Sequence, residues 1–268
     1  MRIDHLRNAT FVLEAGGQRI LIDPMLGPKG SLPPLAVFRH NRRRNPTVEL
    51  PGNSEQILAS LDAALISHCR FGHQDHFDKA GNALLRQRDL PVYCHSQDVR
   101  FLQKKGVRTE PLTPHQPHEL FGGQITAFHA VHGRGVIGKL MGPGVGYLIE
   151  IPDEPSIYLS GDTVLTDEVR RVLTDRKPDI SVVHAGTASM DIGKPILMPM
   201  DEVLEFMRLA SGRVVANHME ALNHCPTTRP RLRDEAEKAG LGEKVVIPDD
   251  GESVDLGRPR DAPSGADR

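Results

Sequence analysis

The segment 67–78, with the sequence SHCRFGHQDHFD, carries the densest group of chemically active side chains in the 268-residue chain. Three His and two Asp fall within eleven residues, and these are His68, His73, Asp75, His76 and Asp78. Imidazole and carboxylate groups are good ligands for Zn, Mn or Fe. A lone His would be an ordinary polar loop residue, but a group this dense favours a metal site.

Three further candidates lie farther along the chain, each where a predicted strand ends. His132 follows QITAFHAV, Asp162 follows SIYLS, and His218 follows RVVAN. Taken singly, each could be a structural polar residue. Sites in α/β sheets form outside one set of strand ends, so the shared position predicts that these side chains meet the 67–78 cluster.

The elements that must position these residues alternate along the chain. A hairpin is predicted from strands 10–14 and 18–23, which flank Gly16 and Gly17. Further strands are predicted at 61–67, 91–94, 124–130, 145–151, 156–160, 179–184, 213–217 and 244–247. Helices are predicted at 55–61, 79–88, 97–105, 166–175, 201–210 and 227–239. This order indicates α/β layers, and the loops 27–53 and 133–144 are candidate walls of a substrate pocket.

Composition limits the partners of such a protein. With 33 Lys and Arg against 35 Asp and Glu, the net charge of −2 predicts no strong attraction to nucleic acid or to an acidic membrane. The cluster 42–44 of three Arg is expected to be a solvated loop. Three widely spaced Cys, without a CxxC pair, favour reduced thiols in a cytoplasm. A small-molecule substrate is therefore expected, with homo-oligomerisation left open.

The motifs together resemble a known superfamily. The HxDHxD run, the His before a Gly-rich loop, SGDT and the late His resemble the metallo-β-lactamase superfamily. RNATFVLEAGGQRILIDPML, IGKLMGPGVGYLIE, YLSGDT and NHMEALNHC look like its broad branch of zinc-dependent hydrolases related to ascorbate-6-phosphate lactonase. The resemblance, over about residues 1–250, implies a four-layer αββα sandwich of α/β class. One hydrolase domain is expected at 1–251, followed by a disordered tail at 252–268.

The resemblance also implies a dinuclear centre and a reaction. Two Zn ions are expected, with Mn or Fe as alternatives. The first ion would be held by His68, His73 and His132, the second by Asp75, His76 and His218, with Asp162 as the bridge between them. A metal-bound hydroxide would attack a small-molecule lactone, ester or phosphoester. Catalytic roles are expected for Asp75, besides its role as a ligand, and for His224.

One spacing departs from the family pattern. The family motif HxHxDH has one residue between the first two His, whereas four residues separate His68 from His73 here. Counting from the strand places the first ligand at His68, and counting from the helix places it at Phe71. We favour His68 as the first ligand, because the conformational freedom of Gly72 would let the loop between the two His form a bulge. A weakened or missing first metal, or Cys69 as a soft ligand, is the alternative.

Supporting roles are open for five residues. Asp78 could orient a ligand His, and Asp23 could do the same or cap its turn. His184 is expected to be structural. His224 could touch substrate or act as a general acid, or it could simply be buried. Lys139 could attract an anionic substrate, or it could be an ordinary exposed lysine.

Two other functions remain open beside hydrolysis. The altered spacing after His68 would suit a metal-binding or regulatory protein that has lost catalysis. A nuclease of the same superfamily is the third possibility, although the sequence has no basic stripe. A serine hydrolase and a P-loop enzyme have no support, because GxSxG and GxxxxGK[ST] are absent.

Overall fold

The computed structural model describes residues 1–70 and 72–257, and its first sheet is built mainly from the N-terminal half of the chain. The strands are β1 (Arg2–Arg7), β2 (Thr10–Ala15), β3 (Gln18–Ile22), β4 (Ala63–Ile66), β5 (Val92–His95) and β6 (Thr109–Leu112). The strands β1 to β3 pair antiparallel, and β3 to β6 pair parallel. The predicted hairpin at Gly16 and Gly17 is confirmed, since both glycines have positive φ.

The second sheet repeats this plan. Its strands are β7 (Pro117–Leu120), β8 (Gly123–Val131), β9 (Pro143–Glu150), β10 (Ile157–Leu159), β11 (Ile180–His184), β12 (Arg213–Asn217) and β13 (Val245–Val246). The strands β7 to β10 are antiparallel, and β10 to β13 are parallel.

A last strand corrects the prediction of a disordered tail from residue 252. β14 (Ser253–Asp255) returns to the first sheet and pairs antiparallel with β1. Val254 is buried in this pairing, so the segment gains both backbone hydrogen bonds and apolar burial. The rest of the predicted tail, 258–268, lies outside the described residues.

Helices cover the outer faces of the two sheets. They are α1 (Ser54–Ile57), α2 (Lys79–Gln87), α3 (Val99–Lys104), α4 (Gly135–Met141), α5 (Asp167–Arg171), α6 (Met200–Leu209) and α7 (Arg229–Lys238), and a π-helical turn, Val172–Arg176, continues α5. One apolar cluster, including Phe11, Leu13 and Tyr147, fills the space between the sheets. Two others join the sheets to the helices, one through Leu85 and one through Phe206. The αββα sandwich is therefore confirmed.

The two candidate pocket walls differ in structure. The predicted loop 133–144 is wrong over Gly135–Met141, which forms α4. Gly133 and Gly135 adopt positive φ at the start of the segment, and the following VIGKLM can then continue as a helical turn. The long loop 27–53 lacks regular structure before α1 and is tied down by Asn223, whose side chain accepts from the Leu35 backbone N–H and bonds to Asn45.

The sandwich gathers the chemical residues at one edge. β4, β8, β10 and β12 lead at their carboxyl ends into His68, His132, Asp162 and His218 respectively. Strands that point the same way in packed sheets end on the same side, as expected for α/β sites. Among the described residues, no helix is both long and apolar enough to cross a bilayer.

Candidate metal centre

Three imidazoles form the first potential ligand group. The ligand atoms of His68, His73 and His132 all lie within 4.8 Å of one another, and the three residues are buried. The His68 and His73 ring centroids are 4.3 Å apart, and those of His73 and His132 are 5.0 Å apart. His68 thus lies beside His73 despite the four intervening residues, and Gly72 supplies a positive φ in the loop. Phe71, the alternative, lies outside the described residues.

The second group contains two carboxylates and two imidazoles. Asp75, His76, Asp162 and His218 each offer a ligand atom within 4.8 Å of the others, again from buried side chains. The Asp75 Oδ2 lies 3.6 Å from His76 Nε2 and 3.9 Å from His218 Nε2. The two imidazole Nε2 atoms are 3.3 Å apart. This arrangement suits one cation that is held by the facing nitrogen and oxygen atoms.

Asp162 stands between the two groups. Its Oδ2 is 3.2 Å from His76 Nε2 and 3.3 Å from His132 Nε2. His68 Nε2 is 3.9 Å from the same oxygen, whereas Oδ1 is 3.5 Å from His218 Nε2. One carboxylate therefore reaches ligand nitrogens of both groups, which is the arrangement that a bridging ligand requires.

A hydrogen-bonded chain orients two of the imidazoles from behind. His76 donates from Nδ1 to Asp23 Oδ2 over 2.9 Å. The Ser67 hydroxyl donates to the same oxygen over 2.7 Å and receives the His68 Nδ1–H over 3.0 Å. Both rings are thereby held in the tautomer that turns Nε2 toward the centre. Of the two roles considered for Asp23, the structure has the orienting one. Ser67 was not predicted, although its position next to His68 was the available signal.

Other outer contacts are made by three further candidate ligands, His132, His218 and Asp162. His132 donates from Nδ1 to the Ile196 carbonyl over 2.9 Å, and the Cys225 Sγ lies 3.6 Å from His218 Nδ1. His184, expected to be only structural, donates to Asp162 Oδ1 over 2.5 Å. Its position at the end of β11, on the same side as the candidate ligands, is the sequence signal for this role.

The role considered for Asp78, that of orienting a ligand His, is wrong. Asp78 instead caps α2, because its Oδ1 accepts from the Gly81 N–H over 2.8 Å. Its other oxygen accepts from the Gly27 N–H over 2.6 Å. An Asp just before a helix is a common cap, so the helical prediction at 79–88 already contained this alternative.

The chemistry of the donor set fits metal ions. The Nε2 atoms of His68 and His73 are buried without a hydrogen-bond partner among the described residues, and such orphaned atoms are costly unless something binds them. Burial lowers the pKa of His73 to about 3 and that of His68 well below its usual value. Both imidazoles are therefore neutral, which is the form that binds a metal ion.

The carboxylates and His76 are electrically coupled. Burial opposes ionisation of Asp162, but His218, His76 and His132 hold the pKa of its carboxyl well below the usual range. Burial likewise disfavours a charged His76, yet the surrounding carboxylates, above all Asp162, raise its pKa well above the ordinary value. Burial raises the pKa of Asp75, so the ionised carboxylate of the group is Asp162, and a bound cation would take the place of the proton on His76.

His224 and a cavity lie beside the two groups. His224 is 3% exposed, and its Nδ1 has no partner among the described residues. Burial lowers the pKa of His224 to about 3, so the ring is neutral near pH 7 and is not a protonated general acid in this state. A cavity of about 530 Å³ is lined by the two sequence neighbours of His224, Asn223 and Cys225, and by His40 and Arg43; Cys225 connects its wall to His218.

Two more sequence candidates lie apart from the ligand groups. Cys69 is buried and hydrogen-bonds to Asp98, and its sulfur belongs to neither ligand group. The expectation of Cys69 as a soft ligand is therefore not supported by its position. Lys139 is exposed on α4.

Backbone strain accompanies the site. Asp23 and His218 adopt φ of 43° and 60°, in the left-handed region that side chains other than Gly and Asn seldom occupy. The His218 N–H is held by the Asn8 carbonyl at 2.9 Å. Such outliers persist where surrounding contacts enforce them, and they concentrate at functional sites.

Comparison with known proteins agrees with this geometry. Residues 18–219 match the family model described as the beta-lactamase superfamily domain. The UPF0173 protein YddR of Bacillus subtilis is 31% identical over 259 residues, which cover 94% of this chain and 99% of that protein. A UPF0173 metal-dependent hydrolase of Rubrobacter xylanophilus is 26% identical over 94% of this chain and 96% of its own length.

A solved structure is similar over nearly the whole chain. The isothiocyanate hydrolase from Delia radicum gut bacteria has a TM-score of 0.86 and 32% identity, covering 95% of this chain and 99% of that one. The chain therefore belongs to the metallo-β-lactamase fold superfamily and, within it, to the UPF0173 proteins.

Proposed function

We propose that this protein is a dinuclear metal-dependent hydrolase of small molecules. The observation that carries the proposal is the pair of buried ligand groups that meet at Asp162. His68, His73 and His132 would hold one cation, and Asp75, His76 and His218 the other, with Asp162 contributing to both. The outward hydrogen bonds of His76 and His132 suit this assignment, because they turn Nε2 inward.

The cations, when bound, lower the pKa of water and stabilise negative charge on the attacked group. The protein side chains supply the rest. Asp75 is the proposed proton acceptor for the attacking water. His224, neutral and next to the ligands, donates an N–H to the substrate oxygen or sulfur that becomes negative. The 530 Å³ cavity is the proposed substrate space, with the 27–53 loop as one wall.

Zinc is the metal that the resemblance to zinc-dependent hydrolases implies, and it accepts the imidazole nitrogens and carboxylate oxygens of the two groups. Mn and Fe accept the same ligands and are the alternatives. The donor atoms alone do not distinguish these ions, so metal content and activity need to be compared after loading with each.

The expected substrates have an electrophilic centre that water can attack, namely a lactone, an ester or a phosphoester. The 32% identity to an isothiocyanate hydrolase over 95% of this chain adds the isothiocyanates as a second candidate class. Water attacks the central carbon of R–N=C=S, and the C–N bond then breaks to release the amine R–NH₂ and carbonyl sulfide. Amine release therefore distinguishes this class from the oxygen esters.

The test is turnover after loading with Zn, Mn or Fe. A lactone, a p-nitrophenyl ester, bis-p-nitrophenyl phosphate and phenethyl isothiocyanate form the panel. We expect at least one class to be hydrolysed, with a loss of at least about 10³-fold for Asp162→Ala and His76→Ala. His129→Ala is the matched control, because His129 is an exposed histidine outside both groups.

The alternatives give different results. A loaded wild type as inert as Asp162→Ala on every substrate would favour a metal-binding or regulatory protein without catalysis. Cleavage of RNA in preference to the panel would favour the nuclease. Equal activity of wild type and both ligand variants would refute the proposed centre.

A further inference from the structure

The exposed large apolar side chains are concentrated in one region of the described chain. Phe38 is 90% exposed, Ile192 78%, Val136 75% and Leu140 68%. Two less exposed members of the same set, Val131 and Val37, adjoin them in the sequence. Scattered apolar residues are normal on a surface, but a concentration of them marks a protein or membrane contact.

Three segments bring these residues together, and we call them the rim: 37–44, 131–141 and 190–195. The Asp191 carboxylate accepts the backbone N–H groups of Val37 at 2.8 Å, Phe38 at 2.8 Å and Arg39 at 2.9 Å, which joins the first segment to the third. Gly193 lies against Ile137 of α4, so closely that a Cβ there would be 2.3 Å from the Ile137 side chain. The rim is therefore one continuous surface, and its segment 131–141 also carries the buried His132 of the metal centre.

The rim is also strongly basic. It contains seven Lys and Arg and one acidic residue, a net charge of +6 within a chain of net −2, so the remainder carries −8. Arg39, Arg42, Arg43, Lys139 and Lys194 are exposed. Arg134 is paired with Glu202, and the Asp191 carboxylate is occupied by the three backbone N–H groups. The small net charge of the chain is therefore the sum of a basic rim and an acidic remainder.

The positive charge of the rim decides which kind of partner could cover its exposed apolar side chains. A second copy in a two-fold dimer would place the same basic surface against itself, and like charges oppose such an association. Nucleic acid would use the cations but would leave Ile192, Val136 and Leu140 without a function. An anionic bilayer satisfies both features, because its phosphates attract basic residues and its interface accepts protruding apolar side chains.

We propose that the rim docks this protein on the surface of an anionic phospholipid bilayer. Phe38, Leu140 and Ile192 enter the headgroup region, while the arginines of 39–44 contact lipid phosphates. Because the segment 131–141 also carries His132, docking would hold the metal centre close to the membrane. This proposal departs from the expectation of no membrane contact, which follows from the net charge and from a solvated 42–44 loop, because the charge is unevenly distributed.

The test is co-sedimentation of the full chain with vesicles of pure phosphatidylcholine or with 30% phosphatidylglycerol. We expect partitioning at least about tenfold stronger onto the anionic vesicles, and weakening with salt. Phe38→Ser with Ile192→Ser should lower it about tenfold or more. Arg42→Gln with Arg43→Gln should lower it about fivefold for each charge removed.

The matched control is Lys104→Gln with Lys105→Gln, which removes two exposed cations at the end of α3, its last residue and its C-cap, outside the rim. It should lower partitioning less than twofold. All variants are surface changes and should keep the unfolding midpoint of the wild type. The proposal is overturned if anionic vesicles bind no better than neutral ones, or if the control matches the rim variants. It is equally overturned if poly(U) RNA binds more tightly than vesicles, or if the Phe38 and Ile192 changes abolish only a dimer.

Discussion

Replacing Asp23 by Asn tests how the ligands are held. The Asp23 carboxylate accepts the Ser67 N–H and hydroxyl, each over 2.7 Å, and the His76 Nδ1–H over 2.9 Å. In the Asn variant one of these oxygens becomes an NH₂ group. At Oδ2 it could not accept from the Ser67 hydroxyl or His76, and at Oδ1 it would face the Ser67 N–H, which is also a donor. In either orientation the neutral amide removes the charged acceptor that keeps the His76 Nε2 free for a cation. The side chain keeps its size, so packing should change little.

The expected cost follows from that lost bond. A hydrogen bond to a charged group contributes about 1.5–3 kcal/mol, and groups that orient metal ligands are worth about 10–100-fold in metal affinity. These ranges agree, since tenfold is about 1.4 kcal/mol. We therefore expect Asp23→Asn to weaken Zn binding about 10–100-fold, as measured by competition with a chromophoric chelator.

Asp78→Asn is the matched control. Asp78 is also a buried carboxylate and lies two residues after His76, but it caps α2 and belongs to neither ligand group. Asn is also a good cap, and the bond that the variant loses, from the Gly27 N–H to Oδ2, involves no residue of the two ligand groups, so its Zn affinity should stay within about twofold of the wild type. Equal losses in the two variants, or unchanged affinity in Asp23→Asn, would show that the orienting bond has no such role.

Three further predictions concern the fold and the bound metal. Gly81→Ala should destabilise the protein by about 2–3 kcal/mol in urea unfolding, because its Cβ would lie 2.1 Å from the Pro24 carbonyl oxygen; an unchanged midpoint would contradict this packing. Burial opposes ionisation of Asp250, but His5 and Arg229 hold its pKa below the usual value. A lowered folded-state pKa adds stability above the unfolded value of about 3.9, which is lost as the pH falls through the folded-state pKa. Asp250→Asn should therefore cost about 1–2 kcal/mol at pH 7 and progressively less below about pH 4; a constant difference from pH 7 to 2 would exclude this cause. Finally, metal at about 100 times its Kd should stabilise the native state by about 2.7 kcal/mol relative to chelator-treated protein, and calorimetry that gives the same midpoint for both would contradict binding to the folded form.

The metal-centre candidates could be found in the sequence because each follows an apolar strand. The runs before His68, Asp162 and His218 are short, buried and rich in branched residues, so both the strands and their ends were visible. The side chains that hold the ligands were harder to find. Ser67 and His184 act through hydrogen bonds to Asp23 and Asp162, which are distant in sequence, and their only signal is position, beside His68 and at the end of an apolar strand.

Other elements were missed for a physical reason. β1 contains Arg7, which is fully buried and donates to the carbonyls of Val48 and Met25. A strand with buried charge does not show the alternation that predicts a strand. β6, β7 and β14 are only three or four residues long and depend on pairing partners for their existence.

The central claim is tested most directly by a crystal structure of the metal-loaded protein, with anomalous scattering measured at the metal absorption edges. We expect two peaks in each molecule, one among His68, His73 and His132 and one among Asp75, His76 and His218. Asp162 should contact both, at about 2.0–2.2 Å for zinc. A single peak, or peaks away from these residues, would contradict the dinuclear centre.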